Sequence, residues 1–175
     1  MKEFMFEIPV IGDILEFVDD FGEPAAAVVG AEATNAAAEG GYESLRESMA
    51  WTEVPGTGMD TRDHLLEISQ SPEGTWTDPH TGFTSTDPSD FHIDHRVPFS
   101  EIAARYPEIY NLPRDEQLAI YNDPDNLQVT HAEHNLEKGS QTAAEHAGSF
   151  QDGEARDAFV EKVRAYIRKM DARFG

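Results

Sequence analysis

The strongest hydrophobic pattern lies at the end of the chain. Within 154–174, Phe159, Val163, Ile167, Met170 and Phe174 recur at three- and four-residue spacing, with Arg and Lys on the other flanks. That period predicts an amphipathic helix whose apolar stripe faces a core. Upstream, "SEIAARYPEIY" and "PRDEQLAIY" predict two helical pieces in 100–121, parted near Asn111, Leu112 and Pro113. "HIDHRVP" reads as a strand ended by Pro98, and "NLQV" as a second short strand after the turn "NDPD". Residues 71–91, dense in Thr, Asp, Pro and Gly with aromatics between them, predict short strands and tight turns. Thr130 and Glu133 have the spacing of a capping box. A helix is therefore expected with Thr130 as N-cap and His131 as its first residue, ended by Gly139.

The N-terminal third is patterned differently. Ala-rich stretches broken by Gly30, Gly40 and Gly41 predict two or three closely packed helices within 1–50. The Pro/Gly-rich "EVPGTGMDT" at 53–61 marks a boundary, and "DHLLEIS" is a short helix or strand. The expected organisation is an acidic helical segment over 1–60 and a second domain over 61–175.

Composition narrows the chemistry. The chain of 175 residues is 39% apolar, enough for a modest core, and has no cysteine. Disulfides and thiolate metal sites are thereby excluded. The most apolar early run, "FMFEIPVIGDILEFV", is interrupted by Glu7, Pro9, Asp13 and Glu16, which argues against a membrane span. Nor does it look like a signal peptide, which wants a basic start followed by a longer uninterrupted apolar stretch. The expected location is the producer's cytoplasm, or outside it by a signal-peptide-independent route. The net charge is −21, unevenly placed: residues 1–91 hold 19 acidic and 3 basic residues, 156–175 hold 3 acidic and 6 basic ones. Nucleic-acid binding usually needs a basic footprint, so the acidity weighs against it except near the C-terminal helix.

Four of the seven histidines fall in two short stretches, "FHIDHRVP" at 91–98 and "NDPDNLQVTHAEHNLEKGS" at 122–140. On a helix starting at Thr130, His131 and Asn135 share a face, Lys138 lies a turn further, and His134 borders the stripe. Asp94 with the Asn135 amide oxygen offers a hard oxygen site suited to Mg²⁺ or Mn²⁺. A nitrogen ligand from His131 or His134 moves the preference toward Zn²⁺ or Ni²⁺. His95, as a neutral imidazole, can take a proton from water near pH 7. Asp94 and His95 alternate across a regular strand, so a shared site requires the ladder to break there. His64, His80 and His146 have no pattern of partners and read as surface. Arg96 and the basic flank of 156–173 suit phosphate contacts, with salt bridges and solvation as the competing reading.

The stretches "IDHRVPFS" at 93–100 and "NDPDNLQVTHAEHNLEKGS" at 122–140 resemble the HNH endonuclease family. The resemblance rests on the D-H pair and Pro, the Asn-Leu beginning at Asn126, Asn135 nine residues later, and Lys138-Gly139. It implies an α+β fold with a ββα-metal core, a lead-in hairpin and flanking helices. It further implies Asp94 and Asn135 as metal ligands, His95 as general base, Asn126 as the residue pinning the loop, and DNA as substrate with little sequence readout. Where relatives carry cysteine pairs for a structural zinc, this chain has His131 and His134 at the later pair's positions and no earlier pair. A structural zinc is not expected, and the two histidines are left as metal or substrate contacts. No small-molecule cofactor is implied.

"IPVIGDILEFVDDFG" and "YESLRESMAWTEVPGTG" resemble the pretoxin segment of bacterial polymorphic toxins. That resemblance implies an antibacterial effector nuclease neutralised at home by an immunity protein. The alternatives are an HNH-like binding module that no longer cuts, which the acidity favours, and an intracellular defence or restriction nuclease.

Overall fold

The computed structural model describes residues 41–139, 141–150 and 152–175. Most of the expected N-terminal helices and the first pretoxin-like stretch, 8–22, therefore lie outside the described residues, and the second, 42–58, lies within them. The protein is α+β with two small antiparallel sheets. A helical stretch over 41–48 leads into α1 (Thr61–Ser69), β1 (Trp76–Thr77), β2 (Thr84–Ser85), β3 (Phe91–His95), α2 (Phe99–Arg105) and α3 (Arg114–Tyr121). Then come β4 (Leu127–His131), α4 (Ala132–Lys138), α5 (Ala143–Ala147) and α6 (Gly153–Phe174). Single 3₁₀ turns at Pro88–Asp90 and Pro107–Asn111 join them.

Local chemistry explains most of these elements. Asp60 caps α1 by accepting the Asp63 N–H, and Asp152 caps α6 by accepting the Ala155 N–H. The α6 stripe is buried at Phe159, Val163, Ile167 and Met170, joined by Tyr166. It packs with Phe99, Ile102 and Ile109 into the larger core. Leu45 belongs to that core, and Tyr42 and Met49 pack against it, so residues 41–60 are integral to the second segment's packing. Residues 71–91 form the β1–β2 hairpin, whose turn places Gly82 at φ +72°, where a side chain would be strained.

The central unit is β3 paired antiparallel with β4, in register from Phe91 opposite His131 to His95 opposite Leu127. Alternation divides its faces. Phe91, Ile93, Leu127 and Val129 join Leu65, Leu66 and Trp76 in a second core. His92, Asp94, Gln128 and Thr130 occupy the other face, and α4 packs across both strands. Asn126 is fully buried and closes the ladder. Its side chain accepts the Val97 N–H at 2.8 Å and donates to the Val97 carbonyl at 2.9 Å.

The start of α4 corrects the sequence reading. Thr130 and His131 belong to β4, and α4 begins at Ala132 with no side-chain cap. Asp78 of the hairpin substitutes for one, its carboxylate accepting the His131 N–H at 3.1 Å and the Thr130 hydroxyl at 3.5 Å. The capping box forms instead at Thr142 and Glu145, ahead of α5.

Replacing Asn126 by Ala leaves two buried Val97 backbone groups without partners, each costing about 1–3 kcal/mol. Urea unfolding of Asn126→Ala, followed by circular dichroism, is expected to show a loss of roughly 2–4 kcal/mol. An unchanged midpoint would mean that the turn holds itself.

Candidate functional site

A buried polar layer lies between β3–β4 and α4. Lys138, with its side chain 3% exposed, places its ammonium 2.6 Å from Asp94 Oδ2 and 2.7 Å from the His95 carbonyl. Burial leaves such a cation dependent on protein acceptors. Gln128, opposite Asp94 in the ladder, also donates to Asp94 Oδ2 at 3.4 Å and reaches His80 Nε2 at 2.9 Å. Asn135, a turn before Lys138, turns its amide nitrogen to His92 Nδ1 at 3.2 Å. Asp94, Asn135 and Lys138 thus share one layer. Lys138 is committed to Asp94 within it.

His95 lies elsewhere. The ladder is regular through His95, so its side chain projects to the face opposite Asp94, as strand alternation requires. There it stacks near Trp51, with ring centroids 6.2 Å apart, and lies 4.6 Å from the Tyr121 ring. Its Nε2 is 2.8 Å from the Tyr121 carbonyl. A carbonyl can only accept, so Nε2 carries the proton and Nδ1 keeps the lone pair. Burial lowers the pKa of His95 and outweighs the Tyr121 bond and the Asp94 charge, which raise it. The imidazole is neutral at pH 7.

The two helix-face histidines part company. His131 stacks on Phe83, with centroids 4.0 Å apart. His134 turns toward His80, from the β1–β2 hairpin, and His146, from α5. One ring nitrogen from each of these three lies within 4.8 Å of the others, and the cluster can hold a metal ion. His80 and His146 are 2% and 1% exposed, which overturns their reading as surface residues. Burial pulls the pKa of His80 down to about 4, against the pull of Asp78, and that of His146 to about 2, helped by the His80 and Lys138 charges. No fixed spacing links positions 80, 134 and 146, so nothing in the sequence joined them.

A third feature is electrostatic. A cavity of about 440 Å³ is lined by Arg96, Lys162, Gln128, Thr77 and apolar side chains that include Phe159. Burial lowers Arg96 to a pKa of about 10, and the Arg96 charge is the main cause of a lowered Lys162. Both remain cationic at pH 7. Arg96 donates to the Asp125 carbonyl, and no ion pair to either cation is found among the described residues. Further along α6, Lys169 pairs with Asp123 and Asp125, and Arg173 with Glu116.

The neutral histidines make a pH prediction for metal-free protein. Unfolded, His80 and His146 titrate near 6.5; folded, they resist protonation. Stability is full above about pH 6.5 and falls as acid is added, by up to roughly 1.4 kcal/mol per pH unit and histidine. Chemical denaturation between pH 7 and 5 is expected to show a smaller loss in His146→Leu than in wild type. Equal losses would place the acid sensitivity in other groups. No protein-family model, no curated protein and no solved structure matches this chain, and the chemistry of the site is argued from its own residues.

Proposed function

We propose that this protein is a metal-dependent endonuclease of the HNH type, hydrolysing DNA phosphodiester bonds with little sequence preference. The observation that carries this reading is His95, a neutral base with its tautomer fixed by the Tyr121 carbonyl, immediately following Asp94 in β3. The order β3, β4, α4, with α4 packed on both strands and Asn126 closing the turn, supports it. So does the Arg96–Lys162 pair, which gives a very acidic chain one local site attractive to phosphate.

The donor set fits a hard divalent ion. Asp94 has a second carboxylate oxygen beyond the one Lys138 and Gln128 engage, and Asn135 directs its amide nitrogen to His92, leaving its carbonyl oxygen as a donor. Two oxygen ligands suit Mg²⁺ or Mn²⁺; Zn²⁺ or Ni²⁺ would need an imidazole that His131 and His134 direct elsewhere. When bound, such an ion neutralises charge developing on the phosphoryl group and the leaving oxygen. The chain's own residues do the rest. His95 Nδ1 would take the proton of a water attacking phosphorus as the bond to the 3′ oxygen breaks, which requires the phosphate to reach the end of β3, where the Asp94 and His95 faces meet. Lys138 holds Asp94 in place, and Arg96 with Lys162 binds phosphate along the strand.

A second reading is favoured by one specific contact. The Asp94 carboxylate already has an ammonium 2.6 Å away, as in a site where lysine stands in for the ion. That contact favours an HNH-like binding module that does not cut. The effector-toxin role and its immunity protein extend the pretoxin-like resemblance; an intracellular defence nuclease shares the same chemistry.

Plasmid nicking by wild type in Mg²⁺, Mn²⁺, Ni²⁺ and Zn²⁺ tests the proposal. His95→Gln is expected to lower the rate by roughly 10²–10⁴ without changing the melting temperature. Arg96→Glu and Lys162→Glu are expected to raise KM and flatten its salt dependence. Wild type that cuts with none of the four ions, while folded, favours the binding module. Toxicity on expression, relieved by a neighbouring small gene product, would mark the effector.

A further inference from the structure

We propose that His80, His134 and His146 form a structural centre for one nitrogen-preferring divalent ion of the Zn²⁺ class, separate from any ion on Asp94 and Asn135. Three parts of the chain meet there: the turn after β1, the first half of α4, and α5. His80 is set by its own backbone, whose N–H donates to Asp78 Oδ1 at 2.8 Å. His146 is set by α5, which the Thr142–Glu145 capping box starts.

The geometry matches an ion better than a hydrogen-bonded cluster. His80 Nε2 and His146 Nε2 are 3.3 Å apart. Two nitrogens bound tetrahedrally at 2.0–2.1 Å stand about 3.3–3.4 Å from each other. The Gln128 amide donates to the same His80 nitrogen at 2.9 Å, a bond that an ion held there would replace. The third ring supplies the matching donor: His134 Nε2 is buried without a hydrogen-bond partner, a state that is rare in a folded interior.

Chemistry selects the ion. Three imidazoles and no carboxylate in the cluster suit Zn²⁺, Ni²⁺ or Co²⁺ and disfavour Mg²⁺ and Ca²⁺. The charge environment tolerates a cation: Asp78 and Asp94 both act on His80, and Lys138, also felt there, is neutralised by Asp94. Burial selects the role. With His80 and His146 almost wholly enclosed, a polynucleotide cannot reach the ion, so it acts by fastening the hairpin and α5 to α4. That helix carries Asn135 and Lys138, so the ion would brace the polar layer whether or not the protein is a nuclease.

The experiment uses the full chain, stripped with a chelator and dialysed. Elemental analysis after return of Zn²⁺ is expected to give one ion per chain. Zn²⁺ at about a hundredfold its Kd is expected to raise Tm by roughly 5–10 °C, and Mg²⁺ to leave it unchanged. Co²⁺ is expected to bind with the visible absorption of a tetrahedral site. His146→Gln and His134→Gln should each lose the stoichiometric ion and the Tm response. Should either variant fail to fold, the wild-type Zn²⁺ and Co²⁺ titrations decide. The proposal is overturned if stripped wild type takes up no Zn²⁺, or if the Zn²⁺ response survives in both variants and disappears in Asp94→Asn. Its failure leaves the nicking result untouched, since neither stoichiometry nor Tm depends on cleavage.

Discussion

A buried ammonium is the constraint from which the arrangement of this protein follows. Lys138 is almost completely enclosed, and an enclosed cation must find its countercharge and lone pairs within the fold. It finds the Asp94 carboxylate and the His95 carbonyl, both on β3. The last turn of α4 is thereby fixed on the strand, and Asn135, one turn earlier, is brought over His92. Removing either charge alone would strand the other in a low-dielectric interior. The pair therefore acts as a register lock between helix and hairpin more than as a source of net stability.

The hairpin separates two kinds of packing. One face of β3–β4 is apolar and closes against α1 and Trp76, whose indole N–H donates to the Leu66 carbonyl at 2.7 Å. The other is polar and closes against α4, with Gln128 linking Asp94 to His80. His95 ends the strand on the apolar side, where Trp51, Phe99 and Tyr121 form its walls. An imidazole and a carboxylate adjacent in sequence are thus held in different environments. One is kept neutral by burial; the other is ion-paired.

Net charge gives a poor account of what this surface attracts. A chain at −21 repels polyanions at long range, and the screening length of physiological salt limits that repulsion to about 8 Å. Within that distance local charges decide. Arg96 and Lys162 face one cavity, while Lys169 and Arg173 are occupied by the acids of 114–126 in docking α6. Two of the six basic residues that stand out at the C-terminal end of the sequence are therefore structural.

What the sequence determined by itself is what periodicity and short-range chemistry control. The α6 stripe, the strand around His92–Asp94, the hairpin in 71–91, the break between α2 and α3 and the Gly139 stop all follow from residue spacing and turn residues. The D-H and Asn spacings also bring Asp94, Asn126, Asn135 and Lys138 into one neighbourhood, since strand, turn and helix lengths are local quantities. Tertiary structure decided what depends on distant partners. Thr130 had the spacing of a cap, but pairing with His92 held it in β4 and Asp78 took over the start of α4. His80 and His146 looked like surface residues because burial is conferred by elements 66 residues apart, and no local signal records it. The regular ladder at His95, the commitment of Lys138 to Asp94 and the meeting of three histidines were settled the same way. Each depends on which faces pack together, and that is a property of the folded chain as a whole.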